Sequence, residues 1–136
     1  MIQRIQSVWL LIASLCTFFT LKLSFFSGTH MPDNQYHQLK GIDTGLLLIT
    51  TIALGIVTLF TIFLYKKRIV QLRLCILAIV LDLLLLYLYY SEVLKFSQGT
   101  YSIASAMHLV IILSLFLAAK AINKDEKLVK DSDRLR

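Results

Sequence analysis

One carboxylate interrupts an otherwise unbroken apolar run: Asp82, in LAIVLDLLLLYLYY. At the centre of a bilayer an acid costs about 3 kcal/mol on insertion scales, so an ionisable residue there marks a function or a dedicated partner. His108, in the next apolar run, is the natural partner. Counted from the centres of the two runs, it lies about 5 Å from Asp82 in depth at 1.5 Å per residue. That is within side-chain reach if the two helices are neighbours, which their short connection favours. Cys75, Ala78, Asp82 and Tyr89 share one helical face, and Ala104, Ser105 and His108 form a matching one. Two chemistries suit this pair. One is a buried structural or partner-facing polar contact; the other is proton or ion handling.

Other constellations are weaker. His30, Asp33 and His37 lie close in sequence, but without a cysteine or a second cluster they read as solvated rather than as a metal site. A bis-histidine haem needs two membrane histidines, and only His108 qualifies. No Ser-His-Asp arrangement, phosphate loop, HExxH or glycine-rich fingerprint is present. The two cysteines, Cys16 and Cys75, are expected roughly 10 Å apart in depth, too far for a disulfide. The expectation is therefore a protein without catalytic residues, metal or cofactor.

The elements that position these residues follow from composition. The chain has 136 residues, 57% hydrophobic and only 16% charged, with mean hydropathy +0.74; a soluble domain carries about 25% charged residues. The formal charge of +6 could point to nucleic acid, but the basic residues flank apolar segments, which favours a membrane surface. Four apolar stretches, about 7–26, 46–65, 72–90 and 102–121, each match the ~20 residues that span a bilayer as a helix. The first could pass for a signal peptide, but its apolar run is long and no A-x-A-like cleavage site follows. With the N-terminus inside, eleven of the fourteen Lys and Arg residues fall on the inner side and only Lys22, Lys40 and Lys95 outside. By the positive-inside rule both termini are cytoplasmic.

The predicted fold is an all-α membrane protein, a four-helix transmembrane bundle, N-in/C-in, with a charged cytoplasmic C-terminal helical extension. Residues 1–121 form the transmembrane domain and 122–136 the tail. Phe25, Phe26, Tyr87, Tyr89, Tyr90 and Tyr101 are expected in an outer aromatic belt, with Trp9 and Tyr65 at the inner interface. Asp43 or Thr44 is expected to cap the second helix and Thr100 the fourth. The outer loop at 27–41, with the single proline, reads as irregular. Polar stripes run along the helices: Gln3, Ser7, Ser14, Thr17 and Ser24 in the first, and Thr44, Thr51, Thr58 and Tyr65, seven residues apart, in the second. Small and hydroxyl residues at such spacing are how membrane helices pack. Lys66, Lys67, Arg68 and Arg73 cluster between helices two and three, where they fix topology and meet anionic lipid.

Both end segments carry a resemblance. MIQRIQSVWLLIA and KDEKLVKDSDRLR resemble the ends of a family of small inner-membrane proteins from Bacteroidota, the domain of unknown function 4293. The family ending runs closer to RSADR, so Lys130, Asp131 and Ser132 depart slightly. The resemblance implies a four-helix protein of the bacterial inner membrane and no assigned activity. It also draws attention to Gln3, Arg4 and Gln6 and to Asp125, Glu126, Lys127, Lys130, Asp133 and Arg134, which carry the recognisable motifs and are candidates for docking a partner. The expected function is a non-enzymatic accessory or scaffold subunit of a larger inner-membrane assembly, membrane protein export machinery being one candidate. Its partners would be membrane lipids and other inner-membrane proteins, with ribosome or nucleic-acid contact as a further option. The alternative is a small proton-coupled transporter or channel component using Asp82 and His108.

Overall fold

A run such as GLLLITTIALGIVTLFTIF offers its backbone no polar surroundings, and a helix pairs those groups within the segment. The computed structural model describes residues 2–31 and 33–136, with side chains from Ile5 onward. Its helices are α1 (Ile2–Thr20), α2 (Gly45–Phe63), α3 (Arg68–Val93) and α4 (Ile103–Arg134). Each of α1 and α3 packs against both α2 and α4, so the four helices form a square.

The polar stripes face the centre of this square. Ser14, Thr17, Thr51, Thr58 and Ser114 are buried there beside Leu10, Leu54, Leu85 and Ile111. Four of these hydroxyls turn back on their own helices: Thr17 donates to the Ala13 carbonyl at 2.8 Å, Thr51 to Leu47 at 2.7 Å, Thr58 to Leu54 at 3.0 Å and Ser114 to Ile111 at 2.9 Å. What they present to neighbouring helices is a small, largely apolar surface, which allows close approach. The seven-residue stripe of α2 ends sooner than expected, because Tyr65 is exposed and Thr44 lies just before the helix.

The opposite faces are apolar as well. Ile49, Phe60, Val80, Leu113 and Phe116 all point outward and are exposed, a surface no soluble monomer of this size maintains. By length and composition α2, α3 and α4 are each long and apolar enough to cross a membrane, whereas α1 contributes a shorter apolar stretch, Ile5–Thr20.

The connections depart from the all-α expectation. Strands β1 (Ser24–His30), β2 (Tyr36–Lys40) and β3 (Phe96–Tyr101) form a three-stranded antiparallel sheet in the order β2-β1-β3. It lies at the end of the bundle where α1 and α3 finish and α2 and α4 begin. The loop predicted to be irregular is thus mostly a hairpin. Its turn includes Asn34 at φ 49, a left-handed conformation that asparagine tolerates. The first apolar run is also shorter as a helix than predicted: α1 stops at Thr20, and Phe25 and Phe26 belong to β1. The segment FFSGT is aromatic, β-branched and glycine-containing, which suits a pleated strand better than a helix.

This changes the aromatic belt. Phe25, Phe26 and Tyr89 are buried, and only Tyr87, Tyr90 and Tyr101 remain exposed. The caps differ too. Thr100 lies within β3, the residue preceding α4 is Ser102, and neither Ser102 nor Thr44 makes a side-chain cap bond. Asp43 instead accepts from the Lys40 amide at 2.6 Å.

Gly28 pairs with Gly99 across β1 and β3, and a Cβ on Gly28 would fall 2.0 Å from the Gln98 carbonyl oxygen. Backbone cannot rotate aside as a side chain can. Gly28→Ala is therefore expected to open the β1–β3 pairing and lower stability by roughly 1–3 kcal/mol, read as a lower melting temperature in detergent. An unchanged melting temperature would show that the two strands do not approach this closely.

Candidate functional site

Asp82 is on α3 and His108 on α4, and both side chains are completely buried. The helices are direct neighbours, and His108 Nδ1 lies 2.7 Å from Asp82 Oδ1. A hydrogen bond between the imidazole and the carboxyl group fits this distance. The face carrying Asp82 is the small one read from the sequence: Cys75, Ala78, Asp82 and Tyr89 are all buried. On α4, Ala104 and His108 are buried while Ser105 lies at the edge and donates to the Ser102 carbonyl at 2.6 Å. Cys16 and Cys75 are free thiols.

The sheet closes the site from one end. Phe25 of β1 stacks on Tyr89 with ring centroids 4.2 Å apart and packs edge-on to the His108 ring at 5.8 Å. Tyr89 lies 5.5 Å from the same imidazole. The strand is held in place by the Ser102 amide, which donates to the Phe25 carbonyl at 2.9 Å. An aromatic lid thus sits between the Asp82–His108 pair and the sheet end. Beneath it two polar atoms, Asp82 Oδ2 and His108 Nε2, have no hydrogen-bond partner among the described residues. Such groups are costly to bury, and each calls for a reason.

The opposite end of the bundle holds most of the charged residues. Gln6 and Asp125 do not point outward for docking. Both are buried, and the Gln6 amide donates to the Asp125 carboxylate, tying α1 to α4. Arg68 also turns inward, its guanidinium donating to the Asp125 carbonyl at 3.2 Å. These three residues therefore hold the charged ends of α1, α3 and α4 together. Gln71, which sequence reasoning passed over, adds a third link: its amide donates to the Thr61 carbonyl on α2 at 3.2 Å.

The remaining docking candidates are differently placed. Glu126 pairs with Lys130 at 2.8 Å, and Lys127, Lys130, Asp133 and Arg134 are exposed on the last turns of α4. Leu128, Val129 and Leu135 are exposed among them. Gln3 and Arg4 lie outside the described side chains. Lys66, Lys67 and Arg73 are exposed around the start of α3.

His30 and His37 face each other across the hairpin, with ring centroids 5.9 Å apart, and Asp33 lies in the adjoining turn. Among the described residues no group of three or more His, Cys, Asp or Glu side chains is arranged to hold a metal ion.

The model of one family matches residues 2–135, nearly the whole chain. The chain belongs to the family described as domain of unknown function (DUF4293). No curated protein and no solved structure matches it. Membership of the DUF4293 family carries no activity with it, so the site must be read from its own geometry.

Proposed function

We propose that this DUF4293 member is a non-enzymatic accessory or scaffold subunit of a larger inner-membrane assembly. It crosses the bilayer four times with both termini in the cytoplasm and docks through the far end of α4. The observation that carries this reading is the length and surface of that helix. Its 32 residues extend about 48 Å at 1.5 Å per residue, some 18 Å more than the hydrocarbon core requires. The excess bears the exposed apolar residues Leu128 and Val129, with Leu135 at its C-cap, between exposed charges. Exposed apolar side chains on the last turns of a helix, beyond its final buried residue, suit a partner's binding face.

The four-crossing reading is supported by the square packing of α1 with helices of spanning length. At 19 residues, α1 reaches about 28 Å, close to the ~30 Å needed. The Lys and Arg distribution supports the orientation, placing the sheet outside and the charged end inside. Mild solubilisation followed by mass spectrometry tests the assembly. The expected result is a defined set of co-purifying membrane proteins at constant stoichiometry. A lone monomer in every mild detergent contradicts it.

A second reading, a proton-coupled transporter component, is favoured by the partnerless Asp82 Oδ2 and His108 Nε2. Asp82→Asn separates the two. A scaffold assembles normally with this variant, because asparagine keeps an oxygen to accept from His108; a proton relay loses its titratable group and its activity.

A further inference from the structure

The α2–α3 turn and the extended part of α4 enclose a groove of about 630 Å³, within the range of small-molecule sites. Its walls and its rim differ in chemistry. Ile69 and Val70 from the first turn of α3 face Val129 of α4 across it, and all three are exposed. Lys66 and Lys67 stand at its rim. Glu126 also borders the groove, but Lys130 already neutralises it. Lys66 and Lys67 have no carboxylate within ion-pair distance among the described residues, so the rim carries uncompensated positive charge. The first turn of α3 adds to this, since Lys67 at its N-cap makes no side-chain cap bond. Amides at such an end favour an anion.

We propose that this groove binds one anionic phospholipid of the facing leaflet. Its phosphodiester would sit on Lys66, Lys67 and the first amides of α3, and the upper part of one acyl chain would lie along Ile69 and Val70. Charge complementarity selects the headgroup, and the apolar walls directly below select a lipid over a soluble anion. The depth agrees. The groove begins where α2 ends and α3 enters the apolar zone, which is headgroup level in the four-crossing arrangement on which this assignment rests. The two lysines thereby acquire a specific ligand beyond their general role in topology.

The test is native mass spectrometry of the full-length protein, purified in detergent without any partner. It is titrated with phosphatidylglycerol or with phosphatidylcholine of the same acyl chains. A single phosphatidylglycerol adduct is expected at a concentration at least tenfold below that for phosphatidylcholine. Lys66→Gln and Lys67→Gln should each weaken it about fivefold, the effect of one basic residue at an anionic surface. Ile69→Gln, which makes the apolar wall polar and leaves the charge unchanged, should weaken it as well. Equal retention of the two lipids overturns the proposal, as does wild-type retention by the lysine variants. Displacement by millimolar inorganic phosphate would make this a free-anion site, and wild-type binding by Ile69→Gln would remove the acyl contact; either outcome also overturns it. Because no partner is present, loss of lipid here is distinguishable from loss of the docking role, which is read from co-purification.

Discussion

His108→Leu is expected to destabilise the bundle by about 1–3 kcal/mol, the cost of leaving one member of a buried hydrogen-bonded pair unsatisfied. The environment argues for the large value. Asp82 and His108 are fully buried, and among the described residues neither has a second hydrogen-bond partner that could compensate. Hydroxyl bonds between membrane helices are worth only about 0.6 kcal/mol on average, but an acid left without its donor belongs to a different class. The double variant Asp82→Leu/His108→Leu removes both polar groups and should recover most of the loss, since well-packed apolar replacements of buried pairs are often neutral or stabilising. Thermal unfolding in one detergent, arranged as a double-mutant cycle, gives the coupling directly. If the single and double variants are equally destabilised, the contact between the two side chains contributes nothing and the pair loses its structural role.

Removal of residues 127–136 is expected to abolish co-purification with partner proteins while leaving the bundle folded. The last buried side chain of α4 is Asp125, so the truncated protein keeps the Gln6 and Arg68 contacts to it. The lost residues are exposed, and their removal should change stability by no more than about 1 kcal/mol. The all-or-none loss of partner against a nearly constant melting temperature separates a docking element from a structural one. Retention of the full partner set by the truncated chain would move the docking surface elsewhere, to the sheet or to the lipid-facing helices.

The parts of this architecture that were legible in the sequence are those written as a strong local contrast. A single acid in a leucine run is such a contrast, and its depth could be matched to His108 by counting residues from helix centres. The helices themselves were readable for the same reason. The sheet was not. SFFSGTH, YHQLK and FSQGTY are short and lack clear alternation, and the pairing of β1 with β3 joins segments on either side of α2 and α3. Phe25 and Phe26 follow the apolar run of α1 with Lys22 and Ser24 the only polar residues intervening, so hydropathy merged a helix and a strand. Tertiary pairing also hid Gln6 and Asp125. Both lie in the end segments that read as partner-docking surface, and only folding brings residues 119 positions apart into contact. Gln71 escaped notice because it sits among Arg68 and Arg73, where a polar residue calls for no explanation.

Docking and lipid binding both depend on the charged end of the bundle lying in the cytoplasm and the sheet outside. Membrane-impermeant thiol labelling in cells with a permeabilised outer membrane tests this arrangement most directly, using Gln98→Cys in the sheet and Lys130→Cys on α4. Both positions are exposed, and the native Cys16 and Cys75 lie within the apolar helices. The four-crossing, both-ends-inside arrangement predicts labelling of Gln98→Cys in intact cells and of Lys130→Cys only after the inner membrane is disrupted. Labelling of Lys130→Cys from outside, or of both positions from the same side, would contradict it.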